Sequence, residues 1–277
     1  LRKMGASIEM ENSHAPIKIY PAGQIIGLKE QLNVPSAQVK SAILLAGLYA
    51  NSETILNSNW ITRNHTELML EFFGSHINYN ENEVTLKNGE LKNTENLLIP
   101  GDFSSAAFLI VATLIAKNSK ITIKNVGLNP TRTGFLKILQ MMGANITTTI
   151  DQSNNFELQG NIEVKSSKLT GINVPKNLIS LSIDELPLVF LAAACAKGKT
   201  TIQNAAELRF KESDRISAMA SLLSKFSIEV KELRDGLVIN GGYITGGEVD
   251  SFGDHRIAMT ALVASACSKS DILVHNT

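Results

Sequence analysis

The sequence predicts a mixed α/β (α+β) fold made of repeated units, each of two helices and about four strands. Three observations carry this. Apolar helical stretches rich in small residues recur at 38–50, 104–116, 185–196 and 255–267. A short strand follows each, beginning near Thr54, Ile121, Thr200 and Ile272, at separations of 67, 79 and 72 residues. Amphipathic helices are expected between these strands and the next repeat, at 65–73, 134–142 and 213–225.

Each element has a local reason. Gly5, Gly74 and Gly143 lie 69 residues apart, just after helices, where a C-terminus often needs a left-handed residue. Residues 145–150, 228–231 and 237–239 alternate or are β-branched, as strands do. Asn80-Glu81-Asn82-Glu83 and Arg234-Asp235-Gly236 read as hairpin turns. A period of about 70 residues exceeds the common solenoid repeats and suits a small α/β unit that buries its helices by stacking on copies. Residues 1–5 read as the tail of a second helix, and 272–277 as the short strand of a unit whose second helix is absent. The expectation is therefore a piece of a longer natural chain.

Composition bounds the function without naming it. Of 277 residues, 44% are apolar and 19% charged, enough for a real core and too apolar for disorder. The formal net charge is zero and no polybasic face stands out, so nucleic acid is not an expected partner. The apolar runs at 106–116 and 186–196 are too short to span a bilayer, and the first residues do not read as a signal peptide. Cys195 and Cys267 sit in Ala-rich segments at equivalent places of two units. They are expected to be small, buried and reduced rather than a disulfide pair, and a cytoplasmic location follows by default.

The chemistry-bearing residues cluster at helix starts. Pro35-Ser36-Ala37-Gln38-Val39-Lys40 opens a helix whose N-terminus suits either a phosphate or a plain Ser36 cap. Arg63, in Thr62-Arg63-Asn64-His65-Thr66-Glu67, precedes the second helix of that unit and is placed to reach the same anion, or is simply solvated. Ile183-Asp184-Glu185-Leu186-Pro187 sets two acids before a buried helix. One is a natural cap, and a carboxylate at the edge of a core is tunable for proton transfer. Glu207-Leu208-Arg209-Phe210-Lys211-Glu212-Ser213-Asp214-Arg215 is the densest charge cluster. Lys211 and Arg215 at a helix start oppose the helix dipole, which makes better sense with bound anions than as an exposed salt-bridged start. Arg256 follows the same pattern in Gly253-Asp254-His255-Arg256. A packed or capping His255 is favoured over a metal ligand, because no second His or Cys stands at metal spacing and no metal is expected. These residues describe a transferase or lyase for small polyanions, with Asp184 and Glu212 as proton-transfer groups.

At these residues the sequence resembles a known family. Ser36-Ala37-Gln38-Val39-Lys40, Gly101-Asp102-Phe103-Ser104-Ser105, Asn129-Pro130-Thr131-Arg132, Asp184-Glu185-Leu186-Pro187, Lys211-Glu212-Ser213-Asp214-Arg215 and Asp254-His255-Arg256-Ile257-Ala258-Met259 resemble the motifs of the EPSP synthase (3-phosphoshikimate 1-carboxyvinyltransferase) family, in order and over essentially the whole chain. The resemblance implies βαβαββ units of the enolpyruvyl transferase fold in two globular domains that close over the substrates, with residues 1–99 in one and 100–277 in the other. It implies transfer of the enolpyruvyl group of phosphoenolpyruvate to the 5-hydroxyl of shikimate 3-phosphate, in aromatic amino-acid biosynthesis, without cofactor or membrane.

By the same resemblance Ser36, Ala37, Gln38 and Arg63 hold shikimate 3-phosphate, with Gln38 also near phosphoenolpyruvate. Asp184 is the base for the 5-hydroxyl, Lys211 touches that hydroxyl and the phosphates, and Glu212 protonates the methylene carbon. Arg215 and Arg256, with His255 beside them, bind phosphoenolpyruvate. Arg63-Asn64-His65-Thr66-Glu67 and Asn129-Pro130-Thr131-Arg132 resemble the glyphosate-tolerant class II pattern, which makes glyphosate a candidate inhibitor. The family's N-terminal Lys-Ser…Arg segment, its Gly-rich loop ending in Thr, the Arg expected just before Leu1 and a Lys near the family's C-terminus have no counterpart here. The 277 residues are therefore expected to turn over little alone, and to self-associate through uncovered apolar faces, although full-length members are usually monomeric. The alternatives are the sister family that acts on a UDP-linked amino sugar, a non-catalytic binding module of the same fold, and one module of a larger multifunctional polypeptide.

Overall fold

The chain opens with a 3-10 turn at Arg2–Met4 and an antiparallel hairpin of β1 (Ser7–Glu11) and β2 (His14–Tyr20). Asn12 and Ser13, both at positive φ, form its two-residue turn, as the strand twist of tight hairpins favours. The computed structural model describes residues 1–92, 96–151 and 156–277, and these divide into two units, Leu1–Leu98 and Ile99–Thr277.

The rest of the first unit is one complete repeat. β3 (Lys29–Gln31), α1 (Ala37–Gly47), β4 (Thr54–Asn57), α2 (His65–Phe72), β5 (Ile77–Tyr79) and β6 (Glu83–Leu86) follow the order βαβαββ. The sheet runs β3-β4-β6-β5, with β3 parallel to β4 and the remaining pairs antiparallel. Asn80 makes the expected turn, its Oδ1 accepting from the N–H groups of Asn82 and Glu83. Met4, Leu44, Leu56 and Leu86 form the small core.

The second unit repeats the plan. α3 (Phe103–Ile115), β7 (Lys120–Gly127), α4 (Gly134–Met141), β8 (Asn145–Asp151) and β9 (Gln159–Lys165) form a sheet ordered β7-β9-β8, and Gly101 bridges in parallel to Val126 where the first strand of a repeat belongs. Next come α5 (Lys176–Ile179), a 3-10 segment at Ser180–Glu185, α6 (Leu186–Ala194), β10 (Lys199–Ile202), a 3-10 turn at Ala206–Phe210, α7 (Arg215–Lys225), β11 (Glu229–Leu233) and β12 (Gly236–Asn240). Their sheet is ordered β10-β12-β11. β13 (Gly247–Asp250), α8 (His255–Ala264) and β14 (Ile272–His275) then form a parallel pair joined by a helix. The expected repeat is thus present, and Gly5, Gly74 and Gly143 all hold positive φ; after α7 that place is taken by Ser227.

One core runs through the second unit. α6 buries every residue, including Leu186, Val189 and Phe190, and the ring edge of Phe103 on α3 meets Phe135 on α4 at 6.1 Å between centroids. Burying one such side chain contributes about 1.5–3 kcal/mol. The helical run from Lys176 to Ala194 is longer than the apolar stretch expected and is long and apolar enough to cross a membrane, but most of it is buried inside the unit. Its α6 part is apolar all round and wholly buried, the pattern of a core helix.

The cysteines are free thiols as expected, but they are half-buried rather than buried and lie close together. Equivalent positions on neighbouring helices face one another, because α6 and α8 pack side by side. Cys195 and Cys267 are free thiols with Sγ atoms 3.6 Å apart. Repeat symmetry brings them together without joining them. The bond from its neighbour and burial push the Cys195 thiol up.

Candidate functional site

In the first unit, Ser36 is the N-cap of α1. Its Oγ accepts from the Val39 N–H at 3.3 Å, so the hydroxyl oxygen holds the helix end and keeps a proton to give. α1 and α2 are pinned face to face by two contacts. Lys40 Nζ pairs with Glu67 Oε1, both side chains almost wholly buried, and the Ser41 and Thr66 hydroxyls lie 2.6 Å apart. The pinning leaves a groove of about 400 Å³ lined by Ala37, Gln38, Ser41, Ala42, Arg63 and Thr66. Three expected ligands, Ala37, Gln38 and Arg63, therefore share one groove beside the N-terminus of α1. The Lys40–Glu67 pair was not legible in the sequence, since nothing marks its partners across 27 positions.

In the second unit, four helix starts meet. Asp102 caps α3 by accepting from the Ser104 and Ser105 N–H groups, Asp214 caps α7 through Ile216 and Ser217, and Asp254 caps α8 through Arg256. The caps fix where the side chains that follow them point. α7 starts at Arg215, two residues later than the sequence suggested, because the cap is Asp214.

Lys211 Nζ lies 2.6 Å from Glu207 Oε1 and 3.6 Å from Asp184 Oδ1, so the expected base and the expected lysine are together. Arg256 Nη1 donates to the Asp184 backbone carbonyl at 3.0 Å. Glu185 occupies the N-cap position of α6, yet its carboxylate does not cap the helix. The capping alternative for this acid fails, and the carboxylate reaches across the fold instead. Glu185 Oε1 accepts from Ser104 Oγ at 2.5 Å and lies 3.4 Å from Arg132 Nη2 and 3.8 Å from Arg256 Nη1. Ser104 Oγ in turn accepts from Arg132 Nη2 at 2.5 Å and from Arg256 Nη2 at 3.3 Å. Burial pushes the Glu185 carboxyl up; the Ser104 hydroxyl and Arg132 pull it back, the Asp184 charge adds to the rise, and the value stays raised.

Arg215 sits in a different setting. Its guanidinium is 1% exposed, with Nε 2.8 Å from Asp254 Oδ2 and Nη2 bonded to Glu212. Burial pushes the Asp254 carboxyl up, but its bond to Arg215 and the guanidinium charge outweigh this and hold it below the usual carboxylate range. The anions that favour Arg215 at this helix start are thus partly the chain's own carboxylates. Glu212 is 55% exposed, and for Arg215 to touch a ligand that carboxylate must swing away. His255 is exposed at the first position of α8, neither packed nor capping. Among the described residues, no group of three or more His, Cys, Asp or Glu side chains is placed to hold a metal ion.

Ser104, Arg132 and Glu185 are the residues whose parts in this cluster the sequence did not disclose. Ser104 and Arg132 stood in the quoted motifs, but their bonds join positions 28, 81 and 152 residues apart, a pairing no local pattern announces.

The EPSP synthase (3-phosphoshikimate 1-carboxyvinyltransferase) family model matches residues 1–277. The chain is 46% identical over 267 residues to a 3-phosphoshikimate 1-carboxyvinyltransferase of Vesicomyosocius okutanii subsp. Calyptogena okutanii (strain HA), covering 96% of this chain and 61% of that protein. It is 43% identical over all 277 residues to the protein of that name from Legionella pneumophila (strain Paris), covering 64% of it. A solved EPSP synthase structure from Acinetobacter baumannii superposes with a TM-score of 0.89 at 41% identity, across 100% of this chain and 64% of that one. The chain thus spans under two thirds of the length of these relatives.

Proposed function

The chain belongs to the EPSP synthase family, and from that premise we propose that it carries part of the machinery that transfers the enolpyruvyl group of phosphoenolpyruvate to the 5-hydroxyl of shikimate 3-phosphate, releasing phosphate. The observation that carries the proposal is the meeting of Asp184, Lys211 and Arg256: a carboxylate 3.6 Å from an ammonium, with a guanidinium on its backbone carbonyl. A base, a group that offsets anionic charge and an anion ligand are what such a transfer needs at one place.

Asp184 takes the proton of the 5-hydroxyl as its oxygen attacks C2 of phosphoenolpyruvate. Glu212 gives a proton to C3, and its carboxylate then takes a C3 proton back as phosphate leaves C2 and the double bond re-forms. Lys211 offsets the charge on the hydroxyl and phosphate oxygens. Arg256 and Arg215 bind phosphoenolpyruvate with His255 at their side, Arg215 after Glu212 releases it. Ser36, Ala37, Gln38 and Arg63 hold shikimate 3-phosphate, for which a helix N-terminus and a guanidinium on one groove are suited. Units 1–99 and 100–277 are assigned to the family's two domains, and the address to the cytoplasm. The 277 residues alone bind these ligands with little turnover. Glyphosate competes for the phosphoenolpyruvate site with the weak affinity of class II members; displacement at low micromolar glyphosate contradicts that subclass.

Calorimetry of the chain with shikimate 3-phosphate tests the proposal. Saturable binding that is lost in Gln38→Ala and in Lys211→Ala is expected. No binding at millimolar ligand by a folded chain, or binding that both variants retain, overturns the assignment of these residues.

A further inference from the structure

Three groups outside the assigned set surround Arg256, and their geometry is closed. A serine hydroxyl has one proton to give and two lone pairs to offer. Ser104 uses all three: its proton goes to Glu185 Oε1, and its lone pairs take Arg132 Nη2 and Arg256 Nη2. Its hydrogen therefore has one orientation. Ser104 is held in the first turn of α3 by the Asp102 cap, and Glu185 is 2% exposed at the start of α6, so both are fixed to helix starts inside the core. Arg132 and Arg256 keep 15% and 16% of their side-chain surface open. The buried part of the cluster is fully bonded, while both arginine side chains stay partly exposed.

The cluster is also tied to the reacting groups through the chain itself. Glu185 follows Asp184 directly, and Arg256 grips the Asp184 carbonyl with its other terminal nitrogen. Moving Glu185 would turn the peptide that sets Asp184 and release the contact that sets Arg256. Arg132 supplies a second positive charge beside this nearly buried carboxyl and draws its raised value back down.

We propose that Ser104 and Glu185 are positioning residues for phosphoenolpyruvate binding, fixing the Arg256 guanidinium beside the Asp184–Lys211 pair through the Ser104 hydroxyl. The proposal rests on the transferase assignment above. Ser104 and Glu185 do not touch the ligand; they hold the group that does. Misplacing a binding group by about 1 Å can cost up to about a hundredfold.

The test is phosphoenolpyruvate binding to the chain in the presence of shikimate 3-phosphate, read by calorimetry and by the arginine Nε–Hε NMR signal of Arg256. Thermal melting and backbone spectra report the fold. Ser104→Ala removes the hydroxyl without changing charge, and affinity is expected to fall by at least about tenfold with the Arg256 signal displaced before ligand is added. Ser104→Thr, which returns a hydroxyl, is expected to recover most of it. Glu185→Gln gives an independent reading. Removing a negative charge by itself tightens anion binding, so weaker binding reports lost positioning and tighter or equal binding overturns it. Unchanged affinity in Ser104→Ala overturns the positioning role alone. No phosphoenolpyruvate response in the unsubstituted chain overturns both the role and the assignment beneath it.

Discussion

Two arginine centres in the second unit are built from the same parts and finished differently. At the α7–α8 junction, Arg215 meets a fully buried Asp254 and is itself 1% exposed. At the α3–α6–α8 junction, Arg256 and Arg132 share Glu185 and a serine hydroxyl, and keep an open edge. The first pair is sealed and ties two helices together, so Arg215 meets a ligand only once Glu212 lets go. The second satisfies its buried members and leaves both arginine side chains partly exposed, as the proposed anion site requires. A buried ion pair is weak evidence for net stability, but breaking one side of it is costly because the other charge is stranded. Sealing therefore predicts structural cost, and openness predicts cost to binding.

The largest expected effect follows from that contrast. Arg215→Ala strands Asp254 and is expected to lower unfolding free energy by about 3–5 kcal/mol in urea denaturation. Arg256→Ala is expected to cost less, about 1–3 kcal/mol, because Glu185 keeps Ser104 and Arg132. Equal losses would erase the distinction between the centres.

Acidity separates them in sign. Asp254 has a folded value below its ordinary 3.8, so its contribution is present above that pH and is lost as pH falls through the folded value. Glu185 has a folded value above its ordinary 4.5, so its contribution is fully present below 4.5 and is lost as pH rises through the folded value. Urea midpoints measured from about pH 3 to 8 should show a flatter acid limb in Asp254→Asn and a smaller loss toward neutral pH in Glu185→Gln. The same pH response in both variants would contradict the contrast. The smallest effect serves as a control remote from both centres. Gly143 holds φ +91, where an added Cβ meets only ordinary contact, so Gly143→Ala should cost about 1–2 kcal/mol from backbone strain. Phosphoenolpyruvate binding at saturating shikimate 3-phosphate should be unchanged, and a change there would mean that any loss of stability weakens the site.

Local signals were legible where physics is local. The helices after Ser36 and Asp254, the left-handed glycines and the Asn80 turn all follow from residues within a few positions of one another. The repeat could be read because the same local pattern recurs. Pairings across the fold could not: Lys40 with Glu67, Cys195 with Cys267, and the Ser104–Glu185–Arg132 cluster depend on how repeats stack. The two acids at 184 and 185 show the limit most clearly. The sequence singled out Asp184 of the two, but nothing in it showed that Glu185 would turn into the core and bond Ser104.

The most direct test is a calorimetric titration of phosphoenolpyruvate into the chain saturated with shikimate 3-phosphate, with and without Arg256→Ala. The account predicts saturable heat in the unsubstituted chain and its loss in a variant that still melts cooperatively. Undiminished binding in Arg256→Ala would contradict the claim that the open arginine centre is where this protein holds its anionic ligand.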